Sequence, residues 1–369
     1  MNRNRYLAGM LVVGTLALSA CSGSDSDSGN GGGSGSGDGD GCGAVGDVEF
    51  VCGPRNAEDL VQIPDTDWII SSGMAAGAGF YAIDANSGEW SPLAASSWYE
   101  SDLLPRCGGP PPADDFESHG LNIRAQGNGQ STLYVVGHGA REAIEVFDVS
   151  VTETGPSLIW KGCVPMPAGL AANSVASFAD GSIVVTVLFM PGMTFADAVV
   201  DKRPTGAVYK WSPGDAGMSL IEGSELPANN GIEVSADGEE IYVASSGLQT
   251  IVTFANSNPT EQLGTTGPLP ITPDNVHMSP DGKLLTAGMK NDVPECGGPP
   301  GPQHDIAILS ACPRGSIAIE IDPATMEHRV LVETEALEEF SNATMVLPAA
   351  GQYWFGSFSG ERIARVPLP

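Results

Sequence analysis

The fold is decided by a stretch such as residues 232–244, IEVSADGEEIYVA. A strand with alternating apolar side chains leads into Asp237-Gly238, and a second apolar strand follows at once. Asp-Gly between two apolar runs is a strong β-hairpin signal, because both residues tolerate the positive φ angles of a tight turn. The stretch therefore predicts two neighbouring antiparallel strands of a sheet.

The same pattern recurs along the chain. Five further copies, each a short strand, a turn with Gly or Asp and a second strand, occupy residues 61–70, 121–136, 175–187, 276–287 and 345–356. Each copy is followed by another β run, and the copies lie roughly 45–65 residues apart, which is typical of propeller blades. We predict an all-β fold, a six-bladed β-propeller over residues 48–369. Two stacked β-sandwiches are the alternative, but they would not explain six copies of one pattern.

Charge excludes some classes of partner. The 369 residues contain 16 Lys and Arg against 45 Asp and Glu, for a formal net charge of −29. Such a surface repels phosphate backbones and anionic lipid, so we expect no nucleic-acid partner. A surplus of carboxylates suits solubility and the attraction of divalent cations instead.

The N-terminus has the features of an export signal. Arg3 and Arg5 precede an apolar run over residues 6–20, which is short for a membrane-spanning helix. The Leu-Ser-Ala sequence before Cys21 resembles the bacterial lipobox, although an ordinary signal peptide with a coincidental cysteine is the alternative. We predict a lipoprotein signal peptide at 1–20, then a lipidated Cys21 within a Gly/Ser/Asp-rich tether at 21–47. We therefore expect an exported bacterial lipoprotein that is anchored to the membrane only by its lipid, on the periplasmic or outer cell surface.

Six cysteines follow Cys21. An even number in an exported chain indicates disulfides, and six cysteines allow 15 connectivities. A metal-binding cysteine cluster is the competing interpretation. Pairing of near neighbours favours Cys42–Cys52 and Cys296–Cys312, which leaves Cys107–Cys163.

Polar residues precede each predicted inner strand. In a propeller these positions converge near the axis at one face. Carboxylates and amides gathered there suit Ca²⁺, which takes six to eight oxygen ligands, better than zinc. The alternative for any one Asn is a turn residue with positive φ. We predict a central metal-binding channel from these segments: Glu58-Asp59, Ser118-His119-Gly120, Asn173-Ser174, Asn229-Asn230-Gly231, Asp274-Asn275 and Ser341-Asn342.

Two histidines should meet beside this ring. His119 opens the inner strand of the second blade, and His138 ends the strand that is joined to it by one hairpin. Antiparallel neighbours bring these two ends together. A histidine pair beside a cation is suited to act as a general base on water, although His138 alone would more often be structural.

These residues resemble the motifs of the paraoxonase/arylesterase family and, more loosely, of the gluconolactonase and regucalcin-like six-bladed propellers. The resemblance covers most of the chain after residue 50. It rests on Glu58-Asp59, Ser118-His119-Gly120-Leu121, LYVVGH at 133–138, ANNGI at 228–232 and Asp274-Asn275-Val276, in that order.

The resemblance implies a calcium-dependent hydrolase of lactones or aryl and carboxylic esters, with His119 as the general base and His138 behind it. A second, structural calcium would involve Asp59 and Leu121, but Ser174 stands where the family has an acid. Lys290 stands where the family has a further histidine in blade five. The implied ligands of the catalytic calcium are Glu58, Asn173, Asn230, Asp274 and Asn275.

Two other functions remain open from the sequence. One is a non-catalytic calcium-binding propeller that serves as a surface-anchored binding or scaffold module, since propellers host many functions. The other is a sugar-acid lactonase, with the same calcium cage and a more polar substrate. The expected partner is a small-molecule lactone or ester, and we expect a monomer.

Overall fold

The structure, a computed structural model, describes residues 42–298, 307 and 311–369. The predicted signal peptide (1–20), Cys21 and the tether up to residue 41 lie outside the described residues. No helix within the described ranges is both long and apolar enough to cross a membrane.

The strands form six sheets, which we number blades 1 to 6 in chain order. The first strand, β1 (Glu49–Cys52), belongs to blade 6. Blade 1 contains β2 (Leu60–Gln62), β3 (Trp68–Ser72), β4 (Phe80–Asp84) and β5 (Trp90–Leu93). Blade 2 contains β6 (Ala95–Trp98), β7 (Phe116–Gly127), β8 (Gln130–Gly139), β9 (Ala143–Thr152) and β10 (Gly155–Pro165). Blade 3 contains β11 (Val175–Ser177), β12 (Ile183–Val187), β13 (Ala207–Trp211) and β14 (Ser219–Leu220).

The last three blades follow the same plan. Blade 4 contains β15 (Asn229–Val234), β16 (Glu240–Ser245), β17 (Thr250–Ala255) and β18 (Gln262–Thr265). Blade 5 contains β19 (Ile271–Met278), β20 (Leu284–Lys290), β21 (Ser316–Ile321) and β22 (His328–Glu333). Blade 6 contains β23 (Ala343–Ala349), β24 (Gln352–Ser357), β25 (Arg362–Pro367) and β1. The named helices of the described ranges are short: α1 (Phe195–Val199) and 3₁₀ turns at Ala113–Asp115 and Pro294–Cys296.

The inner strands close into a ring. Contacts join β2 to β7, β7 to β11, β11 to β15, β15 to β19, β19 to β23 and β23 back to β2. The circle is completed by antiparallel pairing of β1 with β25, so that the two ends of the propeller share one blade. The predicted six-bladed propeller is confirmed.

Burial on both faces explains the apolar runs of the middle strands. In β16, Ile241 and Val243 pack with blade 3, whereas Tyr242 and Ala244 pack with blade 5. Successive side chains of a strand point to opposite faces, so a strand with a blade on each side is apolar at every position. An apolar core of this kind fills each of the six gaps between neighbouring blades.

Three disulfides stabilise the periphery. They join Cys42 to Cys52, Cys107 to Cys163 and Cys296 to Cys312, as the pairing of near neighbours predicts. The first links the chain before β1 to the closing strand itself. The second holds the 98–110 loop against β10 of blade 2.

Three glycines let neighbouring blades approach closely at one end of the ring. A Cβ on Gly120 would lie 2.7 Å from the carbonyl oxygen of Asn173, and one on Gly356 would lie 2.6 Å from that of Glu58. A Cβ on Gly231 would lie only 2.4 Å from the carbonyl oxygen of Asp274. A side chain at any of these positions would push apart the strands that converge there.

We expect Gly231→Ala to lower the free energy of unfolding by about 2–3 kcal/mol, the usual cost of overpacking a rigid contact. Gly217→Ala is the matched control, because nothing lies within 4 Å of a Cβ at that position. Urea denaturation of both variants and the parent measures the effect. Equal midpoints for Gly231→Ala and the parent would show that the blades do not meet this closely.

Candidate functional site

The polar ring forms at the glycine-lined end of the channel, but its residues are placed in two ways. Glu58 and Asn173 each lie two residues before the inner strand of their blade, β2 and β11, as predicted from the sequence. In contrast, the residues of blades 2, 4 and 5 lie within their inner strands and not before them. The pairing register shifts between Ser118 and Leu121, between Asn229 and Ile232, and between Pro273 and Val276. Such β-bulges re-aim side chains, which turns these polar groups toward the axis.

Glu58 interacts with several other residues of the ring. Its side chain is almost fully buried, and its Oε1 accepts a hydrogen bond of 2.6 Å from Nδ2 of Asn275 across the channel. Burial, followed by the nearby negative charges of Asp274 and Asp59, raises the pKa of Glu58 well above its ordinary value. A carboxylate in this position favours either a proton or a cation.

Asp274 has the same character. Burial raises the pKa of Asp274 to about 7. A hydrogen bond from Asn230 lowers this pKa in part, whereas the negative charge of Asp59 raises it further. Asn230 also donates from Nδ2 to Oγ of Ser246 at 3.0 Å. Its backbone carbonyl accepts a hydrogen bond from Thr186 of blade 3, which ties blades 3 and 4 together at the ring.

Several oxygens of the ring have no hydrogen-bond partner among the described residues. They include Oε2 of Glu58, Oδ1 of Asn173 and Oδ1 of Asn230, all buried from solvent. Buried polar atoms are almost always paired, so three such oxygens on residues that converge at one end of a channel indicate a missing ligand. Carboxylate and amide oxygens are the donor set that calcium prefers. The residues present therefore fit a calcium ion.

The metal ligands that the ring offers are not all charged side chains. Within the described ranges there is no group of three or more His, Cys, Asp or Glu side chains arranged to hold a metal. The ring combines two carboxylates, Glu58 and Asp274, with amide side chains. Such a site would belong to a hard cation, since Asn is a poor ligand for zinc.

Asp59 is engaged with protein donors. Its Oδ2 accepts the N–H of Leu121 at 2.7 Å, and its Oδ1 accepts the N–H of Leu60 and lies 2.8 Å from Nε2 of His277. Leu121 thus presents its N–H to this carboxylate, and Asp59 contacts an imidazole in β19. The second calcium at Asp59 and Leu121 stays a prediction.

His277 supplies a positive charge inside the channel. Although burial opposes its protonation, the carboxylates of Asp59 and Glu233 raise the pKa of His277 to about 10. Its Nδ1 lies 3.7 Å from Oε2 of Glu233. Glu233 and His277 also line a cavity of about 550 Å³. The sequence places His277 in an inner strand but does not reveal its two acidic neighbours.

The two predicted catalytic histidines meet. Nδ1 of His119 lies 3.1 Å from Nε2 of His138, and Nε2 of His119 lies 3.8 Å from Oε2 of Glu58. Burial, together with the nearby His138, lowers the pKa of His119 to about 3. His119 is therefore neutral at ordinary pH and faces the ring with one nitrogen.

Glu142 extends this pair to a third residue. Its Oε2 lies 2.7 Å from Nδ1 of His138. A carboxylate accepts only, so His138 carries its proton on Nδ1 and offers the lone pair of Nε2. His119 must then donate from Nδ1, which leaves the lone pair of its Nε2 directed at the ring. Sequence reasoning missed Glu142 because it lies in the turn between β8 and β9; its spacing of four residues from His138 is the only signal.

No family model matches the chain, and no curated protein matches it. Solved structures do. A gluconolactonase from Xanthomonas campestris is 15% identical, with 87% of this chain and 89% of that chain covered and a TM-score of 0.51. A calcium-binding regucalcin from Agrobacterium tumefaciens is 10% identical over 86% and 92% of the two chains, with a TM-score of 0.51.

A luciferin-regenerating enzyme is similar to the same extent, with 12% identity, a TM-score of 0.52 and coverage of 87% of this chain and 94% of that one. Identities this low show the fold alone. The chain thus has the fold of the gluconolactonase and regucalcin-like six-bladed propellers, whereas the closer resemblance to paraoxonases stays a prediction.

Proposed function

We propose that this protein is a calcium-dependent hydrolase of lactones or carboxylic esters. The observation that carries the proposal is the juxtaposition of unpartnered buried oxygens with a neutral histidine. Oε2 of Glu58 lacks a partner, and Nε2 of His119 lies 3.8 Å from it. The gluconolactonase and regucalcin likenesses support a lactonase-like or calcium-binding propeller at the level of the fold.

The five residues that would hold calcium come from blades 1, 3, 4 and 5. Bound there, calcium would polarise a substrate carbonyl and offset the negative charge that develops on its oxygen. These ligands are Glu58, Asn173, Asn230, Asp274 and Asn275.

The histidines would supply the proton transfer. Nε2 of His119 has a lone pair beside the ring and accepts a proton from water as the water attacks the carbonyl. The positive charge that forms on His119 is shared with His138 through the bond between Nδ1 and Nε2. Glu142 then stabilises a charged His138 through its bond to Nδ1. A binding module needs no such proton path.

We also propose that the protein works outside the cytoplasm. The protein has three disulfides. Disulfides persist in oxidising compartments and are rare where thiols are kept reduced.

Calcium removal provides the first test. We expect a calcium chelator to abolish hydrolysis of a lactone and ester panel, and calcium to restore it. Calcium at 100 times its Kd should raise the free energy of unfolding by about 2.7 kcal/mol. Glu58→Gln should lose both effects, because it removes the charge of the central ligand. Magnesium is the control cation. Full hydrolysis in excess chelator would remove the metal from the mechanism.

His119→Gln tests the general base. Loss of a positioned base costs about 10²–10⁴-fold in rate, so we expect kcat to fall by that factor while calcium binding persists. His328→Gln is the matched control, because His328 is exposed at the start of β22 on the outer edge of blade 5. An unchanged kcat in His119→Gln would contradict the role of His119 as the general base. If the parent protein itself shows no turnover, the non-catalytic binding module is favoured.

Glu142→Ala tests the positioning of the pair. Without the acceptor at Nδ1, His138 can adopt either tautomer, and His119 no longer points a lone pair at the ring in every molecule. We expect kcat to fall about tenfold, the worth of one charged hydrogen bond, with little change in KM. Glu142→Gln, which keeps an acceptor oxygen, should recover part of the loss. A KM effect alone would indicate a purely structural residue.

A further inference from the structure

A small cavity lies beside the ring on the side of blades 4 and 5. Its volume is about 50 Å³, and a single water needs roughly 10–15 Å³, so it has room for a group of carboxylate size. Ser246, which lines the cavity, accepts the hydrogen bond of Asn230 and donates to the carbonyl of Pro273 at 2.8 Å. The cavity is therefore one side chain away from the proposed calcium ligands.

Three cationic side chains line this cavity: Lys202, Lys290 and Arg314. The chain has only 16 Lys and Arg among 369 residues and a net charge of −29, so their meeting here is not expected from composition. They come from the loop after α1, the end of β20 and the segment just before β21, which are apart in sequence. Phe195 and Met289 supply an apolar wall.

Arg314 is the strongest evidence for an anion. It is 2% exposed, and its two Nη atoms donate to the carbonyls of Lys290, Asn291, Cys296 and Gly298 at 2.9–3.4 Å. Its Nε has no hydrogen-bond partner among the described residues. Carbonyls fix the guanidinium in place but do not neutralise it, and a buried cation without a counter-charge is costly.

The two lysines differ in their partners. Lys290 forms an ion pair with Glu333. Lys202 donates from Nζ to the carbonyl of Gly247 at 2.6 Å, and no carboxylate pairs with it in the described part of the chain. Burial lowers the pKa of Lys202 and of Arg314, so both charged forms would gain from an anion. Among the residues that the structure describes, Lys202 and Arg314 thus have no carboxylate partner, and both line one cavity.

We propose that this cavity is a subsite for a carboxylate at one end of the substrate, so that the preferred lactones or esters are anionic and carry an aliphatic body. The carboxylate lies between Lys202 and Arg314, the aliphatic part lies against Phe195 and Met289, and the carbonyl reaches the ring past Ser246. The inference rests on the proposed hydrolase for its substrate class, whereas the anion subsite itself can be tested alone.

The first experiment measures binding without turnover. Hexanoate and hexanamide, which differ in charge but hardly in size, are titrated into the purified protein in excess chelator, so that calcium cannot be the receptor. Ligand-observed NMR measures Kd. We expect hexanoate to bind at least about tenfold more tightly than hexanamide, as for one charged hydrogen bond.

Lys202→Gln is the discriminating variant, because Lys202 lies in an exposed loop with only part of its side chain buried, so its replacement should leave the fold intact. It should weaken hexanoate about tenfold and leave hexanamide unchanged. Lys283→Gln is the matched control, since Lys283 pairs with Asp322 and does not line the cavity. Arg314→Lys, which keeps the charge, should also weaken hexanoate. Equal binding of the two probes, binding of neither, or equal effects of the Lys202 and Lys283 variants would overturn the subsite.

The second experiment uses a lactone with a carboxyalkyl chain and its methyl ester. With calcium present, we expect kcat/KM to favour the free carboxylate about tenfold, and Lys202→Gln to remove that preference. Equal kcat/KM values for the two substrates overturn the substrate assignment and leave the hydrolase standing. If neither is hydrolysed while hexanoate binding depends on Lys202, the proposed hydrolase fails and the subsite stands.

Discussion

Negative charge buried at the axis is the constraint on which this molecule depends. Glu58 and Asp59 are 1% and 0% exposed, and Asp274 lies close enough to raise the pKa of Glu58. Protonated His277 offsets Asp59, but it does not neutralise the other two carboxylates. Removing a carboxylate from water costs several kcal/mol unless a partner compensates for it. A cation in the ring would provide this compensation and would couple metal binding to stability.

The architecture explains how side chains so distant in sequence meet. Asn275 hydrogen-bonds Glu58 across 217 positions because the closed ring brings blades 1 and 5, which are separated only by blade 6, to one channel. Glycines at 120, 231 and 356 permit the close approach of neighbouring blades, and Thr344 fixes the Glu58 carbonyl from blade 6. Bulges in β7, β15 and β19 turn the polar residues inward. The site is thus a property of the closed ring and not of any one blade.

Much of this could be predicted from the sequence, because a repeated hairpin of two apolar runs around a turn specifies a blade in each copy. The meeting of His119 with His138 could be predicted too, since one hairpin fixes both strand ends. The third member, Glu142, could not, because the direction of a turn side chain follows from the path of the 139–142 segment. The bulges could not be predicted either. The sequence pattern places Asn230 and Asp274 before their strands, whereas both lie within them, because a bulge leaves no clear mark in the sequence.

The cationic cavity and the anionic channel together form a site with positive charge at one end and negative charge at the other. Carboxylates and amides gather at the axis, while Lys202 and Arg314 lie one side chain away beyond Ser246. Such an arrangement would orient an extended anionic molecule with its carbonyl toward the ring. Propellers serve many functions, so the chemistry of these two ends, more than the fold, distinguishes an enzyme from a binding module.

The most direct measurement is a crystal structure of the protein grown with calcium. We expect one strong density peak in the channel, with oxygens of Glu58, Asn173, Asn230, Asp274 and Asn275 about 2.3–2.6 Å from it. We also expect the Asn275 amide to rotate so that its oxygen, and no longer its nitrogen, faces the axis. Crystals at saturating calcium with no peak, and with Asn275 still donating to Glu58, would contradict a calcium site in the ring.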